Sequence, residues 1–426
     1  MIVMTTVATR PTPATGLSLA QGSAVSISAV LGTGVIALPA LAAQVAGPAS
    51  LVAWVIMIVL SVPLAMTFAA LGARYPDSGG VATYVRTAFG ARMAAVVGWT
   101  FYFAVPAGAP AAAMFGGAYV SALVGGGLRT TYLTAGALTL IVVLINLGGI
   151  RISGTVQLGM AALLVTLLLV ATLSALPHAD PGNLTPFAPH GWWALGPAVS
   201  VLVWGFAGWE ALTSLAADFR DPARNVPRAT VIALVVVSVL YLGVVVASLL
   251  VLGPTAGATG APLSELLAVG LGGGAQVITT VAALLLTLGA MNAYFAGISR
   301  LGAALGRDGA LPAWFARGSA AGEVPRRSLA VVAGLSLAAL AAVASVGAGP
   351  RLSVQITTGS FILIYVLGTA SAVKLLPRRT WMHRAAVVAL GCVLILLVMT
   401  GVYVLWTLLV AGAALVYMAR RHRVTD

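Results

Sequence analysis

Few side chains in this chain could do chemistry, and they fall in two stretches. Of nine acidic residues, only Glu210 lies inside a long apolar run, in Trp204-Gly-Phe-Ala-Gly-Trp-Glu210. A carboxyl group held in apolar surroundings is costly to ionise and marks a functional position. Two roles are open to it: exchanging a proton, or staying neutral and bonding an unwound backbone carbonyl. The second stretch is Val30-Leu-Gly-Thr-Gly-Val-Ile-Ala-Leu-Pro39, where two glycines flank a hydroxyl in the middle of an apolar run covering residues 17–45. A plain spanning helix would carry Leu or Ile there, so the pattern predicts unwound backbone around Gly32, Thr33 and Gly34. Unwound N–H and C=O groups at membrane depth must line a cavity or meet a polar ligand. A close-packing notch between helices is the alternative.

Other chemistries lack their groups. No His, Lys or Arg lies deep in an apolar run and the chain has one cysteine, Cys392, so intramembrane hydrolysis has neither a nucleophile–base pair nor a metal cluster. The chain is therefore not expected to be an enzyme. No metal and no cofactor is expected: His178 and His190 bracket a Pro/Gly-rich loop without a third ligand type, and Tyr75-Pro-Asp-Ser-Gly-Gly80 lacks the Lys-Ser/Thr of a phosphate loop. That loop reads as a structural turn. Pro106 and Pro110 should kink the third apolar run, and Pro222 and Pro227 punctuate a charged cap from Asp218 to Arg228.

The elements that position these groups follow from composition. At 60% hydrophobic and 7% charged residues, with a mean hydropathy of +1.06, too few charged groups exist to cover a soluble surface; this is an all-α polytopic membrane protein. Runs of about 20 apolar residues predict twelve spans, near 18–44, 50–72, 93–123, 131–149, 155–176, 192–216, 230–252, 275–304, 328–348, 352–375, 384–400 and 402–419. With both termini cytoplasmic, all Lys and Arg residues but Arg129 and Arg351 fall inside, 20 of 22, as positive-inside topology demands. The net charge of +13 is scattered between apolar runs, which suits anionic inner-leaflet lipid as a partner and excludes nucleic acid.

The two stretches then acquire a common meaning. The first lies in span one and the second in span six, so each opens a block of five spans, 17–176 and 192–375, of opposite orientation. Residues 1–16 read as a disordered cytoplasmic tail, 384–419 as two further spans and 420–426 as a basic tail. Paired interruptions in two inverted halves point to the substrate site of a secondary transporter working by alternating access. Half-helix N-termini suit an anion and half-helix C-termini a cation, so the pair suits a zwitterion. Phe206, Met291 and Tyr102 are expected to supply apolar and aromatic walls for a neutral amino acid.

The chain resembles the amino acid–polyamine–organocation superfamily through Gly32-Thr-Gly-Val-Ile-Ala-Leu-Pro39, Tyr75-Pro-Asp-Ser-Gly-Gly80, Trp204-Gly-Phe-Ala-Gly-Trp-Glu210 and Asp221-Pro-Ala-Arg-Asn-Val-Pro-Arg228. Leu31 to Gly47 and Val105-Pro-Ala-Gly-Ala-Pro110 are similar to its bacterial inner-membrane exporters of methionine and branched-chain amino acids. The resemblance implies a five-plus-five inverted repeat with discontinuous helices one and six, plus two extra C-terminal helices. It implies that the substrate carboxylate meets Thr33 and N–H groups around Gly32 and Gly34, and that the amine meets carbonyls of Val30, Trp204 and Ala207. Some members hold a Lys in span five in place of a sodium ion. Residues 153–176 contain none, a departure from that form of proton coupling; Glu210, the one embedded acid beside the second break, is expected to couple transport to a proton, with sodium as the alternative. Import or exchange by the same fold stays open, because sequence does not fix direction.

Overall fold

A computed structural model describes residues 16–77, 79–149, 154–320 and 323–425. The tail read at 1–16 lies outside them except for Gly16. In chain order the helices are α1 (Leu19–Leu31), α2 (Leu38–Ala46), α3 (Ser50–Arg74), α4 (Val81–Phe89), α5 (Ala91–Val124), α6 (Gly127–Leu147), α7 (Gly154–Ala175) and α8 (Leu195–Leu202). They continue with α9 (Trp209–Leu215), α10 (Pro222–Ala247), α11 (Pro262–Leu271), α12 (Ala275–Arg307), α13 (Arg326–Ser345), α14 (Arg351–Leu375), α15 (Trp381–Met399) and α16 (Val404–Thr425). Among the described residues the only extended pairing is a single bridge between Leu17 and Phe219.

Among the described residues ten stretches are long and apolar enough to cross a membrane, which makes this an all-α multi-pass membrane protein. The remaining two apolar runs, 18–44 and 192–216, are each split into short halves. Helix α1 stops at Gly32, whose φ of +41° leaves the α region, and α2 restarts with Pro39 in its first turn, where a missing N–H costs nothing. After α8 the backbone tightens into a 3-10 turn over Val203–Phe206, extends at Ala207, passes Gly208 at φ +138° and restarts as α9.

Two packed groups hold these breaks. Helices α1, α2, α3, α8, α9 and α10 pack on one another, α5, α6, α12 and α13 form a second group, and α14 touches both. Between α6 and α12, Asn146 Nδ2 donates to Asn292 Oδ1 at 2.8 Å and to Val142 O at 2.9 Å, satisfying a buried polar pair where lipid offers no partner.

Several local expectations change. Helix α5 runs unbroken from Ala91 to Val124 with both Pro106 and Pro110 inside it. Pro222 starts α10, but Pro227 lies inside it. The Tyr75–Gly80 turn is closed by Asp77 Oδ1, which accepts from Gly79 N–H and Thr83 Oγ1, both at 2.7 Å, and it leads into α4, a helix the turn signals concealed. Helix α11 was hidden likewise, because ten residues are half a span and carry no apolar run of crossing length. Short 3-10 turns at 176–178 and 181–184 punctuate the loop read as extended between His178 and His190.

Candidate functional site

The two broken segments cross where side chains are absent. A methyl group on Gly34 would lie 3.0 Å from Gly205 Cα, and one on Gly208 would lie 2.7 Å from Ala29 O and 3.0 Å from Val30 Cα. Glycine at these positions lets backbone approach backbone, and at Gly208 it also permits the positive φ. Hydroxyls from outside the breaks satisfy the freed carbonyls: Tyr119 donates to Ile36 O at 2.7 Å and Tyr241 to Gly205 O at 2.8 Å. At the far ends α1 and α9 are tied together. Leu17 N–H donates to Asp218 O at 2.7 Å, Arg220 N–H returns to Leu17 O at 3.2 Å, and Arg220 Nε reaches Gly16 O at 2.6 Å.

A cavity of about 60 Å³ opens at the crossing, room for several ordered waters and so for a small solute. Its walls are the α1 end and turn from Ala29 to Gly34, Trp204 and Ala207 of the second break, Val105, Gly108, Ala109 and Ala112 of α5, Ala290, Met291, Tyr294 and Phe295 of α12, and Thr357 and Phe361 of α14. No acidic, basic or histidine side chain is among them. Such a wall offers no countercharge to a solute with a net charge.

Glu210 stands just behind this wall in the first turn of α9, 7% exposed. Its Oε2 accepts from Gly208 N–H at 3.0 Å and from Tyr365 Oη at 2.6 Å, while its carbonyl accepts from Thr213 Oγ1 at 2.5 Å. Among the described residues these two bonds converge on one oxygen, and the Gly208 bond ties the carboxyl group to the backbone of the break.

Of the residues singled out from sequence, Val30, Gly32, Thr33, Gly34, Trp204, Ala207 and Met291 line the cavity. Tyr102 and Phe206 are not among its walls. Tyr102 lies one turn beyond Val105, where α5 closes on α12 and α13. It is fully buried, its hydroxyl is 3.1 Å from both Ser328 O and Ser328 Oγ, and its ring packs edge-on to Phe315. Phe206 is turned away by the 3-10 geometry, in which residues three apart share a face: Trp204 and Ala207 face the cavity, while Phe206 stacks behind it against Trp54 and Tyr241.

A family model described as amino acid permease matches residues 17–424. The chain belongs to that family. The permease is 34% identical to the uncharacterized amino acid permease YecA of Bacillus subtilis, over 93% of this chain and 94% of the relative. It is 32% identical to the L-methionine/branched-chain amino acid exporter YjeH of Escherichia coli, over 95% and 96%. The branched-chain amino acid permease BcaP of B. subtilis is 28% identical over about half of each chain, 51% and 51%.

The sequence concealed what the other helices of the permease bring to the site. Tyr365, Phe361 and Thr357 all come from α14, and Tyr294 from α12. A signal was present: Ser353, Gln355, Thr357, Thr358 and Ser360 crowd polar groups into one spanning helix, and all are buried. Polar side chains kept inside a membrane helix point to a lined cavity or a helix contact.

Proposed function

We propose that the protein is a secondary active transporter that exports neutral, mainly apolar amino acids, methionine and branched-chain ones among them, by proton-coupled alternating access. The observation that carries this is one cavity shared by two crossing helix breaks, with no charged residue among its described walls. Thr33 and the N–H groups around Gly32 and Gly34 take the substrate carboxylate. The carbonyls of Val30, Trp204 and Ala207 take the ammonium group, and Met291 with Phe295 and Phe361 covers the side chain. Glu210 couples through Gly208, its proton exchanged as the break fills and empties; sodium is the other ion this site could use. Tyr365 holds Glu210 in place. Likeness to the methionine and branched-chain exporter over nearly the whole chain supports efflux; the second reading is import or exchange through the same site.

The architecture that goes with this function has twelve crossings, two of them the broken helices α1/α2 and α8/α9, in repeats 17–176 and 192–375 followed by two further spans at 384–419. Both termini lie in the cytoplasm of a bacterial cell and the spans in its inner membrane, with anionic lipid against the basic loops. A reporter fused at Asp426 is expected to read cytoplasmic and one at Asn183 external; both reading the same side would refute the topology.

The test of function is ligand competition on purified protein. Methionine and leucine should bind, and arginine and putrescine should not, because the cavity wall offers no countercharge for a second cation. Tight binding of arginine or putrescine without methionine or leucine would refute the assignment.

A further inference from the structure

Many buried hydroxyls on these helices share one habit. Ser26, Ser61, Thr139, Thr230, Ser336 and Thr369 each donate to the carbonyl four residues earlier, at 2.7–2.9 Å. That habit satisfies a polar group within a spanning helix without any partner outside it. Thr357 breaks it. The residue is 2% exposed and lines the cavity, yet its Oγ1 has no hydrogen-bond partner among the described residues. A buried donor left unpaired is costly, so such a group is expected to meet a ligand or water at some stage of its work.

The space beside this hydroxyl depends on a missing methyl. A Cβ on Gly108 would lie 2.9 Å from Thr357 Oγ1 and 2.9 Å from the outer edge of the Trp204 indole. Glycine at 108 thus leaves a narrow slot on α5 that the Thr357 hydroxyl and the indole edge occupy, closed to a further heavy atom while the indole stays in place. Around the slot the cavity is hydrocarbon, from Val105, Ala109 and Phe361. Thr357 also stands eight residues along α14 from Tyr365, roughly 12 Å at the helical rise. Tyr365 serves Glu210 beneath the breaks; Thr357 is therefore well removed from that end, where the substrate side chain would reach.

Resting on the transport function proposed above, we propose that Thr357 is a specificity-determining residue whose hydroxyl donates a hydrogen bond to an acceptor heteroatom in the substrate side chain, the thioether sulfur of a methionine-type amino acid. Trp204 turns aside to admit that atom into the slot beside Gly108. A thioether is a weak acceptor, so the effect is modest in size and sharp in its chemistry.

Norleucine, which has a methylene in place of the sulfur, isolates the interaction. In competition binding on the purified full-length protein, wild type is expected to favour methionine over norleucine about threefold. Thr357→Val should bind both equally, and Thr357→Ser, which keeps the hydroxyl, should retain the threefold preference. Thr357→Ala carries the same expectation as the valine variant with less bulk, should valine fail to fold. A preference that survives Thr357→Val or Thr357→Ala, or an equal loss of both ligands, overturns the assignment. Wild type binding both amino acids without preference overturns it as well and leaves the transport function standing. Wild type binding neither would refute the transport function itself.

Discussion

Glu210→Gln protein is expected to exchange methionine across a membrane and yet fail to accumulate it. The carboxyl sits on the break itself, Oε2 holding Gly208 N–H and Tyr365 Oη, and glutamine keeps an oxygen acceptor there while removing the exchangeable proton. One elementary charge moving through 100 mV supplies about 2.3 kcal/mol, enough for a roughly 50-fold concentration ratio. In inverted vesicles with an imposed proton gradient, wild type should build such a ratio and Glu210→Gln should stay near unity, with exchange in the absence of a gradient retained. Its transport should also lose its dependence on pH, since no group at the break then titrates. Uphill, pH-responsive transport by Glu210→Gln would make Glu210 a structural hydrogen-bonding group and move coupling to sodium or to a proton path elsewhere.

The second large effect concerns backbone. Gly208→Val must place a β-branched side chain at φ +138° with its Cβ 2.7 Å from Ala29 O, and neither the strained conformation nor the opposing backbone can give way cheaply. Together these cost about 2–5 kcal/mol. The variant should melt well below wild type and lose transport, because the crossing of the breaks and the seat of Glu210 go together. Gly297→Ala is the control. A Cβ there meets nothing within 4 Å, and alanine is favoured over glycine in a helix by up to about 1 kcal/mol, so melting should hold or rise. Gly208→Val with wild-type melting and transport would show that the breaks need not touch.

How much of this was legible depends on how local the cause is. The break at Gly32 is written in adjacent residues, since a glycine pair in an apolar run has few other uses, and the embedded Glu210 is conspicuous for the same reason. The position of the second break was less so: Gly205 and Gly208 both look suited to it, but Gly205 serves the crossing with Gly34 and stays within the 3-10 turn, whereas Gly208 takes the positive φ. Side-chain direction was harder still. Phe206 is two steps from Trp204 in a turn where three steps restore the face, and Tyr102 shares a helix face with Val105 but sits one turn past the cavity, where neighbouring helices close. The partners from α14, Tyr365 above all, are 155 residues from Glu210, and nothing in the local pattern of either segment names the other. Helices α4 and α11 escaped because a helix shorter than a membrane crossing leaves no long apolar run.

The central claim is that one zwitterion bridges the two broken helices, its carboxylate on the α1 turn and its ammonium on the carbonyls of both breaks. Binding of methionine to the purified protein, compared with its analogue lacking the carboxylate and its analogue lacking the amine, tests this most directly. Each analogue should bind about tenfold or more weakly than methionine, as expected on losing a charge-assisted contact, and Thr33→Val should narrow the gap for the analogue without a carboxylate while leaving that for the analogue without an amine. Either analogue binding as tightly as methionine would mean that the substrate does not span the two breaks.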